Sequence, residues 1–267
     1  ITGAPVFLLD TPPLEGEQLP HHREYVKKGI DELVAFLSKT FKTNLEEVKL
    51  REVAALSSKA IDLWTQSLEA CKATPSPLNC ADRFLTMAPV VSMRGTEHII
   101  EFYEKLLEEV KTRVSNNIGA IRDEKIRLLW DNIPPWFQIF KFFNGLAKRG
   151  VVFPADTYTH AWSGSIGGGD LFDSIVDIYS NVYLNKGLDA KIDKMCELIE
   201  DYDLDGFIMF SVRSCKRYSI GQLVSKEIVT ERTGVPGVII EGDMVDSRLF
   251  NDAQIQTRVD ALLEMFI

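Results

Sequence analysis

The stretch GFIMFSVRSCKRYSIGQ, residues 206–222, decides the fold. It opens on an unbroken apolar run that closes at Ser211, and within a few residues it turns to helical patterning, with Arg213, Ser214, Cys215, Lys216 and Arg217 at the junction. A continuously apolar strand is buried on both faces, as the strands of a parallel sheet are. Three further runs share that character, IRLLWD (126–131), VVFPAD (151–156) and GVIIEGD (237–243), and each ends in an acidic residue. Between and after them lie helical patterns at 136–150, 171–185, 188–202, 220–234 and 252–266. Parallel strands need crossovers of that length. The reading is therefore α/β: a doubly wound, four-stranded parallel sheet in the C-terminal half.

Upstream of it the periodicity is helical from Arg23 to about Gly119. Val26, Ile30, Leu33, Val34 and Leu37 recur at three-to-four spacing, as do Val53, Leu56, Ile61, Leu63 and Leu68. KATPSPLNCADRF (72–84) interrupts the pattern, and SMRGTEHIIEFYEKLLEEVKTR (92–113) resumes it with Thr96 as N-cap. The polar linker SNNIGAIRDEK (115–125) sets a boundary between residues 1–119 and a flavodoxin-like lobe over 120–267. The opening APVFLLD (4–10) reads as a strand turned by TPP (11–13), so residues 1–119 are expected to be the tail of a first α/β lobe followed by helices.

Thirty basic against thirty-nine acidic residues leave a net charge of −9, which disfavours nucleic acid and anionic membrane surfaces as partners. No run is long and apolar enough to span a bilayer, and a cytoplasmic protein is expected. The four cysteines, Cys71, Cys80, Cys196 and Cys215, form no CxxC pair and no zinc module. Cys196 lies mid-helix beside Met195 and reads as core.

Ligands of an open parallel sheet gather beyond the carboxyl ends of its strands, where the strand order reverses. A 2-1-3-4 winding puts that point between the first and third strands, so Cys215 stands on this edge at the start of a helix. Arg213, Lys216, Arg217 and free helix amides there favour a thiolate, the form that ligates metal or attacks a substrate. Against that stands the ordinary role of a free cysteine as a small buried hydrophobe. A nucleophile needs a base beside it. Of the four histidines only His160, in DTYTHAWSG (156–164), belongs to the same sheet edge, which leaves a Cys215–His160 hydrolase as one reading. The glycine cluster SGSIGGGD (163–170) matches neither GxGxxG nor GxxxxGK[ST]; it reads as a loop leading into a helix that Asp170 caps, whose N-terminus can receive an anion.

SVRSCKRYSIGQ (211–222), followed by GVPGVIIEGDMVDSRLFNDAQIQTRVDALLEMF (234–266), resembles the C-terminal signature of the 2-hydroxyacyl-CoA dehydratase and benzoyl-CoA reductase family. APVFLLDTPP, MRGTEH and DTYTHAWSG fit the same pattern, so the likeness covers essentially the whole chain. The most specific part is the ending, with Glu241, Asp243 and Asp246. The resemblance implies a subunit with two α/β lobes and a 4Fe–4S cluster between them, held by three cysteines. By that match Cys215 is a metal ligand, Arg213 and Ser214 flank the cofactor, and the other two ligands belong upstream of this chain. His160 and Ser163, on the same edge, are expected to line the cluster or substrate cavity.

The implied reaction eliminates water from an (R)-2-hydroxyacyl-CoA through a ketyl radical, after an ATP-hydrolysing iron–sulfur activator delivers one electron. The implied partners are a second homologous subunit, that activator and the acyl-CoA substrate. Benzoyl-CoA reduction is the neighbouring reading. A scaffold or electron-relay homologue without catalysis is the reading of a different class.

Overall fold

The computed structural model describes residues 3–164, 166 and 170–266. Five helices come first: α1 (Pro20–Phe41), α2 (Glu47–Glu69), α3 (Cys80–Thr86), α4 (Ala88–Ser92) and α5 (Glu97–Ser115). The α/β half follows as β1 (Ile126–Asp131), α6 (Ile139–Ala147), β2 (Val151–Asp156), α7 (Thr157–His160), α8 (Leu171–Asn181), α9 (Leu188–Asp201), β3 (Gly206–Val212), α10 (Lys216–Ser219), α11 (Gln222–Thr233), β4 (Gly237–Gly242) and α12 (Asp252–Leu263). The sheet is four-stranded and wholly parallel in the order β2-β1-β3-β4. This is the winding expected, and the order reverses between β1 and β3.

Successive side chains of a strand point to opposite faces, and the two faces hold different cores. Leu128, Trp130, Ile208 and Phe210 meet Phe143, Leu146, Val259 and Leu262 from α6 and α12. Leu129, Phe207 and Met209 meet Ile192, Ile199 and Val229 from α9 and α11. All residues of β1 and β2 are buried, which is why those segments are apolar without alternation. Residues before the 115–125 linker join both cores: Cys80 and Phe84 pack on the first face, Cys71, Leu78 and Val110 on the second. Helices α2, α4 and α5 add a further cluster around Trp64 and Tyr103.

The opening segment departs from expectation. Residues 4–10 form no strand, and Val6 and Leu8 are 87% and 81% exposed. A strand requires a neighbour to satisfy its backbone, and the only bridge this segment's surroundings supply among the described residues is the isolated one between Leu14 and Lys186. Thr96 stands at the N-cap position of α5, yet its hydroxyl donates back to the Met93 carbonyl at 2.9 Å instead of capping. Asp170 does cap α8, accepting from the Asp173 amide at 2.9 Å. Within the glycine cluster, Ser165 and Gly167 to Gly169 lie outside the described residues. Among the described residues no helix is long and apolar enough to cross a membrane.

Candidate functional site

The carboxyl ends of β1 and β3 build the site. After Val212 the ladder runs one bond further, Arg213 N–H to the Gly242 carbonyl at 3.0 Å, and a turn brings Cys215 N–H to the Val212 carbonyl at 3.2 Å. Cys215 therefore occupies the N-cap position of α10, and it is half-buried, whereas Cys71, Cys80 and Cys196 are buried. Among the described residues its sulfur has no hydrogen-bond partner. Helix α10 has only four residues, so the dipole expected to favour a thiolate is that of a single turn.

The flanking residues are fixed separately. Ser214 N–H donates to Asp243 Oδ2 at 3.1 Å, and Asp243 Oδ1 accepts from the Val245 and Asp246 amides at 3.0 and 3.1 Å. Burial works to raise the Asp243 carboxyl, but these donors, with Ser214 foremost, outweigh it and hold the pKa at about 2. Arg213 extends to Glu241 at 3.6 Å. Arg217 turns to the Leu184 and Asn185 carbonyls at 2.9 and 3.2 Å. Arg213 and Arg217 are thus committed elsewhere. Lys191 of α9, which sequence reading missed, also reaches this loop; its ammonium donates to the Arg217 carbonyl at 3.0 Å. Burial and the Arg217 charge push its pKa down, while Asp131 and Cys215 oppose that shift.

A polar network ties the Cys215 loop to the end of β1. Thr157 Oγ1 donates to Asp131 Oδ1 at 2.8 Å and lies 3.0 Å from the Tyr218 hydroxyl, and Gln222 Nε2 donates to Asp131 Oδ2 at 3.0 Å. Burial raises the Asp131 carboxyl despite both donors. Asn132, with φ of 92°, donates from Nδ2 to the Phe210 carbonyl at 2.7 Å and to Ser219 Oγ at 3.1 Å. Asn is among the few side chains that tolerate this left-handed region. Of these residues only Asp131 carried a sequence signal, as the acidic end of its strand.

Beside this network opens a cleft of about 970 Å³, lined by His160, Trp162, Ser163, Tyr183, Lys186 and Arg94 among others. The two predicted cavity residues are thus brought together, whereas Cys215, Arg213 and Ser214 do not line it. Tyr183 stands between the two places, on the cleft and with its ring 5.5 Å from that of Tyr218. The Ser163 hydroxyl donates to the His160 carbonyl at 2.6 Å.

His160 is fully engaged: Nδ1 is 2.7 Å from the Asp156 carbonyl and Nε2 is 3.0 Å from the Tyr202 hydroxyl. A carbonyl only accepts, so Nδ1 carries a proton, and Nε2 stands against a Tyr202 hydroxyl that also meets the Leu68 carbonyl at 3.1 Å. Burial lowers the imidazole to about 4. Neither ring nitrogen is left for the Cys215 thiol, which removes the cysteine–histidine hydrolase reading.

Beneath α7, Asp156 pairs with Arg83 at 2.5 Å, both side chains 0% exposed. Asp156 also accepts from Thr159 N–H at 2.6 Å and Thr159 Oγ1 at 2.7 Å. Arg83 lies 3.7 Å from the Cys80 sulfur. Burial raises the Cys71, Cys80 and Cys196 thiols. Among the described residues no three His, Cys, Asp or Glu side chains gather in a way that could hold a metal ion. Half-buried and free of hydrogen bonds, Cys215 fits the role of one thiolate ligand. The described residues do not complete a site around it.

The family model for 2-hydroxyglutaryl-CoA dehydratase, D-component, matches residues 1–266. The chain is 30% identical to the (R)-2-hydroxyisocaproyl-CoA dehydratase alpha subunit of Clostridioides difficile, over 98% of this chain and 64% of that protein. It is 27% identical to the lactoyl-CoA dehydratase subunit alpha of Anaerotignum propionicum, over 98% and 63%. Against a benzoyl-CoA reductase subunit of Thauera aromatica the identity is 26%, over 94% and 61%. The chain therefore spans less than two thirds of the length of each of these relatives. With the family model covering the sheet, the helices before it and the Cys215 loop together, this chain belongs to the 2-hydroxyglutaryl-CoA dehydratase D-component family.

Proposed function

We propose that this chain is part of the iron–sulfur subunit of a 2-hydroxyacyl-CoA dehydratase, with Cys215 as one thiolate ligand of a 4Fe–4S cluster. The observation that carries the proposal is the placement of Cys215: the one half-buried cysteine, its sulfur free of hydrogen bonds, at the point where β1 and β3 part. When bound, the cluster supplies one-electron transfer at low potential to the thioester carbonyl of an acyl-CoA. The remaining ligands belong to the portion of the relatives' length that this chain does not span.

The chain's own residues do the positioning. Asp243 and Asn132 fix the two ends of the Cys215 loop, and Lys191 braces it through the Arg217 carbonyl. Arg213 and Ser214 flank the cofactor on the solvent side. His160 and Ser163 line the neighbouring cleft, where a neutral His160 presents no charge to an acyl chain. The partners proposed are a second homologous subunit and an ATP-hydrolysing activator, all in the cytoplasm. A benzoyl-CoA reductase subunit is the alternative favoured by the Thauera aromatica relative.

The test is iron and acid-labile sulfide analysis of the anaerobically prepared full-length protein with its partner subunit. Iron and sulfide should be present, and Cys215→Ala should deplete both. Their absence from the unaltered protein would leave the scaffold reading in place. An undiminished cluster in the variant would remove Cys215 from the ligand set.

A further inference from the structure

The short bridge at Leu14 reaches the Cys215 loop through a chain of backbone contacts. Leu14 N–H donates to the Asn185 carbonyl at 2.9 Å, and Gly187 N–H donates to the Leu14 carbonyl at 2.7 Å. Asn185, buried itself, donates from Nδ2 to the Pro12 carbonyl at 2.8 Å and to the Ser180 carbonyl at 2.9 Å. The Asn185 carbonyl that takes the Leu14 amide is also the one Arg217 grips, at 3.2 Å, while Arg217 Nε holds Leu184 next to it. Arg217 is two residues from Cys215, and its own carbonyl takes Lys191. One carbonyl thus joins the segment around Leu14 to the loop that carries the sulfur.

Gly187 shows how close the fit is. A Cβ there would stand 2.9 Å from the Glu15 carboxylate, which can swing aside, but also 3.1 Å from the Leu14 carbonyl and 3.3 Å from the Glu15 Cα, so the backbone of the segment must give way by a few tenths of an ångström. Its backbone, φ −65° and ψ 172°, is one any residue adopts, so Ala at 187 acts through the Cβ contact and not through strain.

We propose that residues 12–15 are a positioning strap: seated on Asn185 and Gly187, they hold the carbonyls that Arg217 grips and so set where Cys215 stands. Asn185, Gly187 and Arg217 are positioning residues. The consequence for the cofactor rests on Cys215 being a cluster ligand, but the mechanical coupling does not.

The test has two arms. In the first, full-length protein prepared without iron is treated with iodoacetamide, and alkylation of Cys215 is followed by peptide mass spectrometry. Gly187→Ala and Arg217→Gln should each speed it about fivefold, the population shift that one lost hydrogen bond allows. Arg217→Lys, which can still reach one carbonyl, should fall between. Arg217 is exposed, so its variants leave the core intact if Gly187→Ala should fail to fold. Rates equal to the unaltered protein in both Gly187→Ala and Arg217→Gln would overturn the strap. Acceleration by Arg217→Gln with none from a folded Gly187→Ala would overturn it too, since Arg217 would then act without the segment.

In the second arm the iron-loaded protein carrying Gly187→Ala should keep its iron yet show an altered electron paramagnetic resonance signature; an identical spectrum would contradict the positioning role. If the unaltered protein holds no iron, the ligand reading fails while the alkylation arm still decides on the strap.

Discussion

Replacing Asp156 by Asn removes one negative charge from the centre of the molecule at almost constant shape. Asp156 and Arg83 are both 0% exposed, and they meet at 2.5 Å. Two of the guanidinium nitrogens, Nε and Nη1, are buried and have no hydrogen-bond partner among the described residues. Without Asp156 the Arg83 charge stays buried and uncompensated, a change that costs about 3–5 kcal/mol. The new amide makes matters worse, because Nδ2 would face either the Arg83 donor and the Thr159 hydroxyl, which share Oδ2, or the Thr159 amide on Oδ1, and all of these need an acceptor there. A loss of about 4 kcal/mol is therefore expected.

The companion variant Arg83→Met removes the cation and leaves Asp156 held by the Thr159 amide and hydroxyl. In the double variant no charge remains, and it should recover at least about 2 kcal/mol relative to Asp156→Asn alone. Urea titration followed by tryptophan fluorescence measures all three, with midpoints compared at constant slope. The reasoning fails if the double variant is no more stable than Asp156→Asn, because the cost would then come from packing and not from an orphaned charge. The pair bears on the cleft as well. Asp156 ends β2 and fixes Thr159, so the turn that carries His160 and Ser163 should loosen in the same variant.

Further outcomes follow from the same geometry. Asn132→Ala removes the donors to Phe210 and Ser219 and puts a less suited residue at a φ of 92°, so a loss of about 2–4 kcal/mol is expected by urea titration. Asn132→Gly should be milder than Ala if the backbone conformation contributes as argued. His160 is lowered from 6.5 to about 4, so the folded state resists its protonation. Its contribution to stability is full above about pH 6.5 and is lost as pH falls toward 4. Between pH 7 and pH 5 this amounts to about 2 kcal/mol. His160→Gln should flatten that part of the pH–stability curve, and an unchanged slope would mean that the imidazole titrates normally.

The sheet was legible because burial on both faces left a plain mark. IRLLWD and VVFPAD became β1 and β2 with the predicted limits, β3 runs one residue past Ser211 to Val212, and β4 stops one residue short at Gly242. Both shifts come from the Arg213 bond to Gly242, a contact between strands that no local pattern encodes. The segment 4–10 shows the opposite error, since its composition is strand-like but no strand among the described residues lies beside it.

At the site, Cys215 and its position on the sheet edge were readable, and so were His160 and Ser163 as residues of one loop. The directions of the side chains were not. Arg217 looked like a cation for the sulfur and instead grips two carbonyls. Lys191 carried no sequence signal, because Arg217, whose carbonyl it meets, is distant in sequence. Asn132, Thr157 and Tyr218 are ordinary polar residues until the parallel crossovers bring them together.

The most direct test of the central claim is anomalous diffraction at the iron edge from crystals of the full-length protein, grown anaerobically with its partner subunit. The account predicts an iron peak within bonding distance of the Cys215 sulfur, at the parting of β1 and β3. A cluster found elsewhere, with Cys215 unligated, would contradict it.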